Sequence, residues 1–361
     1  MTTNTSDNFK NSTSASLLAT PQCKYDPDSP TEQVVKTIAY IIIMFGSLIG
    51  NALVICVVII NRQMRTVTNY LIVNMAVADL LITAFSMPLT IKLIVTEYMD
   101  WSNGVFSEIL CKIIPFAQLL SIASSVLTLT AIAFDRFLAI MYPLKRYVTF
   151  QISYGIMAVV WMVGIAVNSP ILYALKVIEP NMEEFYCLEI WTPAFTEEAS
   201  KHFTIVIFIT FYLVPLLTMA VLYSFAVHKL WMRKIPGNPS LANQIRAQNS
   251  KKKVFKMLMT VVILFALCWL PAYISQFIYF FDKENFPCGP PAILHFMGYF
   301  LGHANSAINP TIYVIFNSNF RKGFKDILLC RCRRNGVAPP TYGGVALTRM
   351  RPRAPGNLQY A

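Results

Sequence analysis

Asp79 is the one acidic residue set within a long apolar stretch of this 361-residue chain, flanked by Met75-Ala76-Val77-Ala78 and Leu80-Leu81-Ile82. A charge at mid-bilayer depth costs several kcal/mol unless it faces the protein interior and finds a cation or a proton. Asn51, Asn74, Ser125, Asn305, Ser306 and Asn309 are the polar residues available to surround it. A second charged feature, Asp135-Arg136, closes another apolar stretch, where the carboxylate can neutralise the guanidinium locally. These residues can bind a cation and pair charges. The histidines at 202, 228, 295 and 303 are scattered, and no metal cluster, phosphate loop or nucleophile–base set is visible, so an enzyme is not expected.

The elements that position these residues are long apolar helices. The segments 37–60, 113–134, 147–175, 203–227 and 257–281 run without Asp, Glu, Lys or Arg. The segment 70–91 is broken only by Asp79, and 290–316 only by polar residues and His. About 20 apolar residues cross the hydrocarbon layer. Hydrophobic residues make up 55% of the chain and charged ones 13%, about half the share usual in soluble domains. The expected fold is an all-α membrane protein: a seven-transmembrane helix bundle over 34–316. It is preceded by a tail (1–33) and followed by a short amphipathic eighth helix (317–330) and a second tail (331–361). No internal repeat is visible, which counts against a duplicated transporter fold.

Charge sets the orientation. With 1–36 outside, the outer segments hold 8 Lys/Arg and 15 Asp/Glu, while the inner side holds 22 Lys/Arg against Asp135 and Asp326. Positive residues stay cytoplasmic, so the N-terminus is expected outside and the C-terminus inside. The pI near 9.3 reflects this sorting and not nucleic acid binding. The basic rim suits anionic lipid headgroups, making membrane lipids an expected partner. The first 33 residues carry no apolar h-region, so the first span is expected to insert as its own signal. Asn4-Thr5-Ser6 and Asn11-Ser12-Thr13 are expected outer glycosylation sites.

Cys23, Cys111, Cys187 and Cys288 fall outside, where disulfides persist, and three pairings of the four are open. Pairing Cys111 with Cys187 staples the longest outer loop over the third span, and Cys23 with Cys288 then ties the N-terminal tail to the last outer turn. Inside, Asn317–Leu329 places Phe320, Phe324, Ile327 and Leu328 on one face, an interfacial pattern. Cys330 and Cys332 end it where palmitoylation is expected.

The ordered set of short motifs resembles the rhodopsin-like (class A) G-protein-coupled receptors over roughly 34–332. It comprises Gly50-Asn51, Leu71 through Ala78-Asp79, Asp135-Arg136-Phe137, Trp161, Pro215 with Tyr223, Phe265-x-x-Cys268-Trp269-x-Pro271 and Asn309-Pro310-x-x-Tyr313. The resemblance implies a plasma-membrane receptor that activates heterotrimeric G proteins through Asp135, Arg136, Pro143, Leu144, Tyr223, Asn309, Pro310 and Tyr313. No cofactor is expected; Asp79 with Ser125, Asn305, Ser306 and Asn309 can hold an allosteric sodium ion, the alternative being a protonated Asp79 with no ion. Phe137 replaces the usual Tyr, and Lys251-Lys252-Lys253 supplies no acid to latch Arg136, so ligand-independent signalling is expected. Between Tyr313 and the end of the chain, the 331–361 tail has no Ser and only Thr341 and Thr348. Arrestin capture is expected to be weak unless Ser240 or Ser250 substitutes.

Opsins carry a Lys where this chain has His303, and amine receptors an Asp where it has Gln118. The resemblance therefore points to the peptide branch, close to the orexin, neuropeptide FF, neuropeptide Y and tachykinin receptors. Its binding wall is expected from Gln118, Glu189, Trp269, Tyr273, Gln276, Tyr299 and His303. The acidic loop with Glu179, Glu183, Glu184, Glu189, Glu197 and Glu198 suits a short, basic, amidated peptide. The competing readings are a receptor of the same fold for a lipid or amine, and an ion or solute transporter using Asp79.

Overall fold

A computed structural model of the chain describes residues 28–96, 101, 104–143, 145, 147–179, 185–232 and 241–329. Asn4, Asn11, Cys23, Leu144, Glu183, Glu184, Cys330 and Cys332 lie outside them. Seven long helices cross the molecule. They are α1 (Pro30–Ile60), α2 (Val67–Leu81, a π turn at Ile82–Ser86, then Met87–Thr96), α3 (Val105–Met141) and α4 (Phe150–Asn168 with Pro170–Ala174). Then come α5 (Ala199–Phe208, a π turn at Ile209–Leu213, then Val214–Met232), α6 (Leu241–Phe281) and α7 (Ala292–Phe316). A short α8 (Ser318–Leu328) follows, and the loop after α4 forms an antiparallel hairpin of β1 (Leu175–Ile178) and β2 (Tyr186–Glu189).

Six of the seven are long and apolar enough to cross a membrane by length and composition alone. The seventh, α7, is diluted by Gly298, Gly302, His303, Asn305, Ser306 and Asn309, all buried and therefore turned into the bundle. The outer surface is apolar instead of polar. Ile38, Ile42, Phe45 and Ile49 on α1, and Leu217, Val221 and Phe225 on α5, are all exposed. Hydrocarbon is the solvent that such a surface requires.

The helices outrun the apolar segments because local chemistry extends them. Ser29 caps α1 with a reciprocal Ser29–Glu32 capping box and Pro30 in the first turn, so the helix starts ahead of residue 34. In α3 the i,i+4 pair Glu108–Lys112 (2.6 Å) supports a turn that polarity alone would assign to the loop. Thr66 and Thr149 cap α2 and α4 by accepting from Asn69 and Ile152 backbone N–H groups.

Glycines set the closest approaches around α7. A Cβ on Gly50 would lie 2.8 Å from Pro310 Cβ, one on Gly298 2.8 Å from Ala272 Cα, and one on Gly302 2.8 Å from the Trp269 ring. The Ala272 contact is with backbone, which no rotamer change can relieve. Overpacking of this kind costs about 1–3 kcal/mol. Gly298→Ala is therefore expected to lower the melting temperature of the solubilised protein by several degrees. Gly46→Ala, whose Cβ would meet only Ala307 Cβ at an ordinary 3.8 Å, should leave it unchanged. Equal melting of the two variants would contradict this account of the α6–α7 contact.

On α8, Phe320 is fully buried and stacks near Tyr313 (5.7 Å between rings), while Phe324 and Ile327 pack on the core. Leu328, one turn beyond Phe324 on the same side, is 64% exposed and does not pack on the bundle. The helix sits so close to α1 that a Cβ on Gly323 would clash with Val57.

Candidate functional site

Two clusters of polar side chains lie one above the other in the bundle, with a cavity of about 310 Å³ at the end from which the β-hairpin projects. Cys111 in α3 is bonded to Cys187 in β2 with their Cα atoms 5.7 Å apart, which pins the hairpin beside the cavity. The register Leu175↔Glu189 then places Glu189 at the mouth. Cys288 is disulfide-bonded as well, and Cys23, its expected partner, lies outside the described residues.

Gln118, Glu189, Trp269, Tyr273, Gln276 and Tyr299 all line the cavity. Gln276 donates its amide N–H to the Tyr299 hydroxyl (3.2 Å), bridging α6 and α7 across the wall. Tyr273 belongs to an aromatic cluster with Tyr212 (4.7 Å) and Phe208 (5.3 Å). Trp269 forms the floor, and Gly302 supplies the space its ring occupies. Glu189 accepts from the Trp191 indole N–H (2.6 Å). Much of its surface meets solvent, yet the crowded mouth desolvates the carboxyl and pushes its pKa above the usual range, an effect that the indole bond opposes.

His303 is the exception. It is fully buried beneath Tyr299, edge-on to Tyr40 (5.9 Å between rings), and is absent from the cavity wall. Tyr299, one turn further out on the same face of α7, covers it. Both ring nitrogens of His303 and the Tyr40 hydroxyl lack a protein partner. Sequence spacing also missed the aliphatic and aromatic lining supplied by Ile122, Phe203, Ile207 and Phe280. Those residues look like any span residue, so no local signal could have marked them.

Below the floor, Asp79 is buried and accepts from Ser306 Oγ and Asn309 Nδ2, both at 2.9 Å. Ser125 Oγ and Asn305 Oδ1 are buried with no partner. Contacts of Ser121 with the Ala78 carbonyl and of Asn74 with Thr128 bracket Ser125 on the side of α3 that faces α2. Asn51 ties Ser47 to the Ser306 carbonyl (3.0 Å), and Asn74 bridges Thr128 and Trp161. Those two asparagines join helices; neither bonds Asp79.

At the other end, Arg136 pairs with Asp135 (2.5 Å) and also donates to Thr68 of α2, whose hydroxyl donates to Asp135 (3.0 Å). Thr68 was not expected: a threonine at a helix start carries a capping signal and nothing more. Tyr223 packs edge-on to Phe255 (5.1 Å) with its hydroxyl unpartnered, and the Tyr313 hydroxyl faces Met75 Sδ (4.0 Å). Neither tyrosine is hydrogen-bonded to Arg136, although Tyr223 lies within electrostatic range of its guanidinium. Pro310 is buried against Gly50, and Pro143 is exposed in the turn after α3.

Comparison with known proteins agrees with this geometry. The family described as 7 transmembrane receptor (rhodopsin family) matches residues 50–313. The chain is 36% identical to a QRFP-like peptide receptor of Branchiostoma floridae, covering 88% of this chain and 83% of that protein. It is 34% identical to neuropeptide FF receptor 2 of Rattus norvegicus (84% and 75%) and 33% identical to neuropeptide Y receptor type 2 of Homo sapiens (84% and 79%). With the seven-helix bundle and the matched motifs in one chain, the protein belongs to the rhodopsin family of seven-transmembrane receptors.

Proposed function

We propose that the chain is a plasma-membrane receptor for an extracellular neuropeptide that is short, basic and amidated, and that it activates heterotrimeric G proteins. The observation that carries this reading is the outer cavity: six expected residues converge on it, with the neutral amides Gln118 and Gln276 inside and Glu189 at the mouth. The relatives are receptors named for neuropeptide FF, QRFP-like peptide and neuropeptide Y. Amide side chains can both donate to and accept from a peptide C-terminal amide, whereas a free carboxylate would be left facing carbonyl oxygen. Glu189 would pair with the ligand's Arg or Lys and steer its approach. The N-terminus faces out and the C-terminus in, by the charge sorting. The 1–33 tail carries glycans at Asn4 and Asn11. Lipid contacts are made by the basic inner rim, with palmitate on Cys330 and Cys332. Arrestin engages weakly.

Mechanism follows from linkage. A peptide that binds better when the inner ends are apart shifts the equilibrium toward that state, and a G protein at Arg136 favours the same state. Trp269, wedged against Gly302 at the cavity floor and two residues before Pro271, would transmit the contact to α6. Pro271 sits inside α6 and Pro310 inside α7, where each removes a backbone donor and permits bending. Tyr223 and Tyr313 would then turn toward Arg136. Between the two ends, Asp79, Ser125, Asn305, Ser306 and Asn309 would hold a sodium ion in the resting state. The buried, unpartnered oxygens of Ser125 and Asn305 and the buried Asp79 carboxylate are the ligand types a hard cation takes, and the ion would supply the positive charge that Asp79 otherwise lacks.

A labelled Arg-Phe-amide peptide tests the binding half in membranes. Its free-acid form should bind more weakly by about tenfold or more, the loss expected when a buried polar pair is mismatched. Glu189→Gln should weaken binding about fivefold, because the carboxylate is partly solvated. Affinity should be complete above the raised Glu189 pKa and fall as pH drops through it, sooner than for an ordinary carboxylate, while Glu189→Gln flattens that limb. Equal binding of amide and acid at every pH would sink the assignment.

A further inference from the structure

The Trp191 indole N–H donates to Glu189 Oε1 at 2.6 Å, at the mouth of the outer cavity. No other donor reaches this carboxylate among the described residues. Side chains two apart in an extended segment fall on the same side. The backbone keeps that arrangement one residue past β2, where Ile190 N–H donates to the Ala174 carbonyl (2.7 Å). Trp191 is in turn fixed by packing. It is 5% exposed and belongs to a small outer core with Cys111, Ile171, Ala174 and Leu175. Its ring is tilted against Phe203 of α5 (5.3 Å between centroids) and edge-on to Phe195 (5.7 Å). A close-packed ring has few alternative rotamers, so the direction of its N–H is set.

An indole nitrogen donates and never accepts, and a donor bond to a carboxylate favours the charged form. Here it opposes the desolvation that raises the Glu189 pKa. The charges on neighbouring elements are engaged elsewhere. Lys176 on β1 donates to the Thr192 carbonyl (3.2 Å), Lys201 on α5 pairs with Glu198 (2.9 Å), and Lys112 on α3 pairs with Glu108 (2.6 Å). His202 on α5 lines a separate groove against α4, and His295 on α7 contacts Ser275 (3.3 Å). Tyr299 on α7 lies within electrostatic range of Glu189 and Tyr273 on α6 lines the same cavity; both phenols are neutral at working pH.

We propose that Trp191 is a positioning residue of the outer cavity: its indole N–H keeps the Glu189 carboxylate charged and oriented at the mouth, where the cation of the ligand meets it. A phenylalanine in its place would fill the same core and supply no donor. The role rests on reading the cavity as a site for a basic peptide, whereas the contact is already made without one.

The test uses the full chain in nanodiscs, and its first arm needs no ligand. With isotope-labelled tryptophan, one of the five indole N–H resonances should be lost in Trp191→Phe. In the unliganded wild type that resonance should shift as pH falls, with a midpoint above the ordinary carboxylate range, and Glu189→Gln should abolish the shift. A Trp191 resonance that ignores both pH and Glu189→Gln would overturn the contact. In the second arm the Trp191 indole is replaced by benzothiophene, which keeps the shape of the ring and puts sulfur in place of N–H. A labelled Arg-Phe-amide peptide should then bind roughly two- to fivefold more weakly at neutral pH. The acid limb of its affinity should also move to higher pH, because the ionised carboxylate has lost its donor. In the Glu189→Gln background the same replacement should change affinity no further, since the effect passes through the carboxylate. Unchanged affinity with an unchanged acid limb, or an equal loss in both backgrounds, would overturn the positioning role. A titrating indole in a receptor that binds no basic peptide would support the contact and refute the peptide reading instead.

Discussion

Asp135→Asn is expected to raise ligand-independent second messenger several-fold over the wild-type protein at equal surface expression. In the structure Asp135 holds Arg136 by two hydrogen bonds to one carboxylate oxygen, from Nε (3.1 Å) and Nη2 (2.5 Å). The same oxygen accepts from Thr68, which ties the pair to α2. The side chain of Asp135 is only 10% exposed and that of Arg136 30%, so solvent replaces little of this interaction. Hydrogen bonds to charged groups contribute about 1.5–3 kcal/mol, and partial exposure of the arginine places the loss near the lower end. A 1.4 kcal/mol change is about tenfold in an equilibrium constant, and all of it shifts the balance away from the resting arrangement. No acidic latch from α6 compensates, because that helix contains no acid in its described length, and the contact of Arg136 with Thr68 that remains is to a neutral hydroxyl. For the same reason the wild-type chain should itself signal measurably above an Arg136→Ala control. Basal output of Asp135→Asn equal to wild type, with the peptide response intact, would show that this contact does not restrain the receptor.

Asp79→Asn should abolish the effect of sodium on agonist affinity. In membranes of the wild-type protein, added sodium is expected to weaken agonist binding, while potassium at equal ionic strength does not. The cause is charge. Asp79 accepts from Ser306 and Asn309, and Ser125 and Asn305 each carry a buried oxygen without a partner, the groups that would complete an ion's shell with the carboxylate. A cation bound there stabilises the resting state, and a ligand with differential affinity for two states shifts their balance by that difference. Asn keeps the hydrogen-bonding shape and removes the charge. Ser125→Ala should reduce the sodium effect without eliminating it. If wild-type agonist affinity ignores sodium, Asp79 is instead held neutral by a proton and no ion occupies the site.

Much of this was legible in the sequence because the membrane imposes strict rules. Spans of fixed length announced the helices, and one acid in an apolar run announced the polar core that Ser306 and Asn309 complete. The cavity wall was legible through the resemblance to the receptor family, not through chemistry. Gln118 and Gln276 carry no local signal that separates a binding amide from one that joins helices. His303 shows the limit. Its position on α7 matched the wall, but whether a side chain reaches a cavity depends on what covers it, and Tyr299 does. Thr68 shows another limit, since its partners Asp135 and Arg136 stand on a different helix and only tertiary packing unites them. Gly298 and Gly302 could have been read as a small-residue stripe on α7, although which residues they admit, Ala272 and Trp269, needed the packed bundle.

The most direct test is to record calcium and cyclic AMP in cells expressing the chain against a panel of amidated neuropeptides, including Arg-Phe-amide and Arg-Trp-amide types, with Arg136→Ala as control. The account predicts a saturable response to a basic amidated peptide that is lost in Arg136→Ala while peptide binding persists. A surface-expressed receptor silent to every peptide, yet answering an amine or a lipid at the outer cavity, would contradict it.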